Sequence, residues 1–186
     1  MSNQFETEKF NSVIEENENN AKYFTEISDT IVTEYTQSLD NLMKNIYDHI
    51  VLNEPADDML EHYSFELNNC LYFIGDNMEK MGIRDDLSKI TAKEVYNDAY
   101  INYIAKSKQC NSKCTVAELT ALAEGDSKYE TIMNSIYSRA YKQIKYKVDA
   151  GYEMLSTIKK IISKRMQDQQ LTMMQRNTLT FNNEGE

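Results

Sequence analysis

Between residues 128 and 166 the chain repeats apolar positions at intervals of three and four, with no proline to break the run. Met133, Tyr137, Ala140, Ile144, Val148, Gly151, Leu155, Ile158 and Ile162 fall within one narrow strip at 100° per residue. A strand alternates every second residue and cannot use this pattern. The spacing therefore predicts one helix of about 58 Å at 1.5 Å per residue. The repeat is nearly heptad, with an extra four-residue step from Ile144 to Val148. Such a stutter locally relaxes a left-handed supercoil.

The rest of the chain follows the same rule. Phe24, Ile27, Ile31, Tyr35, Leu39, Leu42, Ile46 and Ile50 mark a helix over 21–50. Leu60, Tyr63, Leu67, Leu71, Ile74, Met78 and Met81 mark a second, with Pro55 at its first position and Gly82 placed to end it. The two predict an antiparallel hairpin over 21–81. Thr91–Glu94, Thr115–Glu118 and Ser127–Glu130 each read as a capping box, so helices are expected at 92–107, 116–124 and 128–167. Residues 1–20 read as a polar N-terminal segment and 167–186 as a flexible polar tail, leaving 21–166 as a single helical domain. One Pro and five Gly among 186 residues cannot punctuate a many-stranded sheet. The expected fold class is all-α, with a coiled-coil-like C-terminal helix.

No apolar stretch approaches the ~18 residues of a membrane span. The N-terminus MSNQFETEKF lacks the basic and apolar regions of a signal peptide. Three cysteines, Cys70, Cys110 and Cys114, make no disulfide framework. These features lead us to expect a cytoplasmic protein with no membrane partner. Cys110 and Cys114 are four apart, but a structural zinc site takes about four ligands and the two histidines, His49 and His62, lie far upstream. No metal or cofactor is expected. Phosphate-loop, dinucleotide, nucleophile-elbow and zinc-protease patterns are all missing, and no nucleophile–base arrangement stands out, so the chain does not read as an enzyme.

Charge is the most informative remaining feature. Net charge is −10, but residues 128–166 carry nine cations against three anions, whereas residues 1–127 carry ten against 24. A basic helix on an acidic body points to an anionic partner for that helix. Arg139, Lys142, Lys145 and Lys147 form one candidate nucleic-acid-binding group, and Lys159, Lys160, Lys164 and Arg165 a second. Tyr141 or Tyr146 is placed to stack a base. The strip Tyr137, Ile144, Val148, Leu155, Ile158 and Ile162 is the candidate oligomer interface, since a helix that long outruns the expected hairpin.

The stretch from Ala99 to Met166, AYINYIAKSKQCNSKCTVAELTALAEGDSKYETIMNSIYSRAYKQIKYKVDAGYEMLSTIKKIISKRM, puts a Tyr/Ala/Lys helix before a TVAEL cap, a short acidic helix and a long basic helix ending L-x-x-I-K-x-I-I-x-x-R. This order of helices and charges resembles the phage recombination-mediator family of UvsY type. The resemblance covers about a third of the chain. It implies a ring-forming binder of single-stranded DNA that helps load a RecA-like recombinase. Two other readings of the residues stand beside it. One is a helical structural or assembly protein of virion type. The other is an acidic inhibitor that presents carboxylates to a nucleic-acid enzyme.

Overall fold

The structure, a computed structural model, describes residues 2–53, 55–110 and 114–183, and side chains over 14–50, 55–110 and 114–175. Four helices account for nearly all of them: α1 (Ser2–Asn53), α2 (Asp57–Gln109), α3 (Val116–Asp126) and α4 (Lys128–Asn183). No strand occurs among the described residues, and the fold is all-α.

Several expected boundaries are overturned. Helix α2 does not end at Gly82 and no new helix begins at Thr91; both lie inside one 53-residue helix. A glycine permits a left-handed cap but does not impose one, and its cost inside a helix is only about 1 kcal/mol. Continuing the helix keeps Met81 fully buried and brings Gly82 against the Tyr141 ring. The expected polar tail is helical through Asn183, and the N-terminal segment is helical from Ser2. Pro55 lies before α2, not at its first turn, which Asp57 and Asp58 open. Their carboxylates face the positive end of the helix dipole.

The chain forms two compact units, each drawing on three of the helices or more. The first takes α1 as far as Tyr35 and the stretch from Asp76 to Lys145. Its interior holds Val32 of α1, Met81 and Ala99 of α2, Leu119 and Ala123 of α3, and Ile136, Ala140 and Ile144 of α4. Polar ties fix the register. Ser88 Oγ donates to the Asp85 carbonyl at 2.8 Å and to Asn134 Oδ1 at 3.3 Å. The Tyr103 hydroxyl donates to Asp126 Oδ2 at 2.9 Å. That bond, then desolvation, then the carboxylate's charge raise the phenol pKa above its ordinary value.

Helix α3 begins with the expected capping box. Thr115 Oγ1 accepts from the Glu118 amide at 3.3 Å, and Glu118 Oε2 accepts from the Thr115 amide at 2.8 Å. The Ser127–Glu130 box does not form. Ser127 is instead the C-cap of α3, its amide donating to the Ala123 carbonyl at 3.1 Å. A residue that caps the end of one helix directly before the next has no free amide geometry to close the second box.

The second unit takes Thr36–Gly75 and the chain from Tyr146 onward. Here the expected antiparallel hairpin is present: Cys70 Sγ lies 3.7 Å from Ser38 Oγ, and the Tyr63 hydroxyl lies 2.7 Å from His49 Nδ1. Leu39 and Ile46 of α1, Leu60, Leu67, Leu71 and Ile74 of α2, and Val148, Leu155 and Ile158 of α4 fill its core. Gly151 lets α4 approach closely. A Cβ there would stand 2.8 Å from Leu71 Cδ2 and 3.4 Å from Leu39 Cδ1, both on fully buried side chains.

Two outcomes follow from these helix ends. Gly82→Ala should raise the urea midpoint, corresponding to about 0.5–1 kcal/mol, because alanine is the better residue inside a continuous helix. A loss of stability would indicate a left-handed cap at that position. Glu118 is held below its ordinary value near 4.5 by the backbone and side-chain hydrogen bonds from Thr115, against a small opposing desolvation. A depressed acid stabilises the fold above its unfolded pKa, and that contribution is lost as pH falls through the folded value. In an NMR titration Glu118 should therefore titrate lower in the wild type than in Thr115→Val. Equal midpoints would contradict the box.

Candidate nucleic-acid interface

All eight candidate cations lie on α4, but they do not share one fate. Lys147 is drawn into the second unit. Its ammonium donates to Asp40 Oδ2 and, at 3.1 Å, to the fully buried Thr36 hydroxyl, which in turn donates to Asp40 at 3.0 Å. Arg165 is also engaged: its Nη1 donates to Asp57 Oδ1 at 2.9 Å and to the Pro55 carbonyl at 2.6 Å. These two side chains tie α4 to α1 and to the start of α2 within that unit. Their charge is spent internally, which corrects their assignment as nucleic-acid contacts.

The other six are exposed and make no ion pair among the described residues. Arg139, Lys142 and Lys145 belong to the first unit. Arg139 edges a hollow of about 300 Å³ whose walls include Phe24 of α1 and Ile132 and Ile136 of α4. Lys159, Lys160 and Lys164 belong to the second unit. They line an open hollow of about 540 Å³ along α4 with Tyr152, Leu155, Ser156, Ser163 and Gln167. This arrangement alternates ammonium groups with hydroxyl and amide groups at successive turns. Phosphate and sugar oxygens take their contacts from these groups.

Of the two tyrosines named for stacking, Tyr141 has its ring packed against Gly82, whereas Tyr146 is 76% exposed. Tyr152, on the lysine-bearing hollow, is another exposed ring of α4 that the sequence pattern did not single out. Its place three residues before Leu155 was the available signal, since a residue just outside a buried strip borders the solvated face.

The candidate oligomer interface is corrected more thoroughly. Ile144, Val148, Leu155 and Ile158 are core residues of this chain, and Tyr137 and Ile162 are half-buried. The hairpin itself reaches further along α4 than expected: in the second unit Val148, Leu155 and Ile158 share a core with Leu39, Ile46, Leu60, Leu67 and Leu71, while Ile144 is buried in the first unit with Met81 and Ala99. The exposed apolar residues lie elsewhere, most regularly on α2 at Ile83, Leu87, Ile90 and Ile101.

Nothing else gathers chemistry. Among the described residues no group of three or more His, Cys, Asp or Glu side chains is placed to hold a metal ion. Cys110 and Cys114 are exposed. No helix among the described residues is long and apolar enough to cross a membrane. No family model, no curated protein and no solved structure matches the chain.

Proposed function

We propose that this is a non-enzymatic helical protein that binds single-stranded DNA through α4 and acts as a recombination mediator in the cytoplasm, the host's if the protein is viral. The observation that carries the reading is the hollow in the second unit. Lys159, Lys160 and Lys164 stand exposed and, among the described residues, without a carboxylate partner beside Ser156, Ser163 and Gln167, with Tyr152 available to a base. Arg139, Lys142 and Lys145 form a further exposed cationic group on the same helix. Loading of a RecA-like recombinase rests on the resemblance over residues 99–166. A chain of net charge −10 repels nucleic acid at long range, so binding by one copy is weak and several copies along a strand gain by multivalency.

A second reading, a structural or assembly protein, is favoured by the exposed apolar residues of α2. The two separate on one experiment. Fluorescence anisotropy with a short labelled single strand should show binding at low salt. With three phosphate contacts, log K should fall by about 2 per decade of salt, at about 0.7 per contact. Lys160→Glu/Lys164→Glu should weaken binding and flatten that slope with helicity unchanged. Lys147→Gln should lower stability and leave the slope as it was. No binding by the wild type at low salt, or unimpaired binding by the double variant, would defeat the DNA reading and leave the assembly role.

A further inference from the structure

The outer face of α2 in the first unit carries apolar residues that its own fold leaves uncovered. Ile83, Leu87, Ile90 and Ile101 are 58%, 57%, 52% and 62% exposed, although Met81 and Ala99 on the same helix are buried. They do not scatter. Leu87, Ile90, Glu94, Asn97, Ile101 and Ile104 follow steps of three, four, three, four and three, an unbroken heptad seam on one helix face. A soluble surface has no need of such a seam, and leaving each large side chain wet forgoes ~1.5–3 kcal/mol of possible burial.

The seam also reads the same from either end. Two apolar positions precede Glu94 and two follow Asn97 at mirrored spacings about a midpoint between Val95 and Tyr96. We propose that this face is a docking site for a second copy of the chain, paired antiparallel about a two-fold axis at that midpoint. Ile90 then meets Ile101 of the second copy, and Leu87 meets Ile104 of the second copy. At the centre the Asn97 amide donates to the Glu94 carboxylate of the second copy, and the reciprocal pair forms by symmetry. A parallel pairing stacks Glu94 on its own copy and sets like charges in the middle of the seam, so the polar layer selects the antiparallel arrangement. The flanks set no like charges together in this arrangement: Lys93 falls opposite Tyr100 of the second copy, and Thr91 opposite Asp98 of the second copy.

From Leu87 to Ile104 the seam runs about 26 Å. A single helix pair of that length belongs with small interfaces, those under about 1,200 Å² in total, so association at micromolar concentration is expected. The inference is independent of the DNA reading, because it uses residues of α2 alone.

Sedimentation equilibrium of the full chain tests it. The wild type should be dimeric at micromolar concentration, and Leu87→Glu/Ile101→Glu should raise the dimer dissociation constant at least about a hundredfold. Both positions are exposed, so helicity should not change, nor should the urea midpoint at concentrations below the dimer dissociation constant, which separates lost docking from lost folding. Exchanging the polar pair, Glu94→Asn/Asn97→Glu, should preserve the dimer, because the antiparallel layer still sets an amide against a carboxylate. A monomeric wild type, or a dimer indifferent to Leu87→Glu/Ile101→Glu, would overturn the proposal. Loss of the dimer on the exchange would overturn the antiparallel register.

Discussion

The structure depends on where the apolar strip of α4 is spent. Ala140 and Ile144 are fully buried in the first unit, and Val148, Leu155 and Ile158 in the second. At roughly 1.5–3 kcal/mol for each large side chain, this burial is the main term that holds α4 against α1 and α2 in each unit. The strip also decides which residues remain for partners. Once it is internal, only the opposite faces of the helices are left, and these carry lysines on α4 and isoleucines and a leucine on α2.

Cations on one helix are not equivalent merely because they are close in sequence. Lys147 lies next to the buried Val148 and turns inward to Asp40 and Thr36, whereas Lys145, two residues earlier, is exposed. The engaged pairs are about two-thirds shielded on their basic partners, so they hold position more than they add stability. Arg165 shows the same division of labour: its guanidinium satisfies the carbonyl and carboxylate that flank the start of α2. The six exposed cations carry no such duty, which is why an anionic ligand is assigned to them.

Much of this fold was legible from spacing alone. The hairpin of the second unit, the Thr115 capping box and the α4 strip from Ala140 to Ile158 come from three-and-four periodicity and one cap signal, because local hydrogen bonding and burial agree there. The misplaced boundary within α2 has one cause. Gly82 and Thr91 each carry a local preference of about 1 kcal/mol, and tertiary burial of Met81 and Ala99 outweighs both. Reading a boundary at 82–91 cut the α2 seam in two and hid its exposed residues. The pairing of Lys147 with Asp40 and of Arg165 with Asp57 had no sequence signal, since each joins residues more than 100 apart.

The continuity of α2 is therefore the claim on which the rest stands. Native-state hydrogen exchange, resolved residue by residue from Met78 to Val95, tests it directly. A continuous helix predicts protected amides through Gly82 and across Thr91, at levels like those of the flanking turns. Rapid exchange confined to 82–91, with protection resuming beyond it, would mark a break there. It would contradict the unbroken seam on α2.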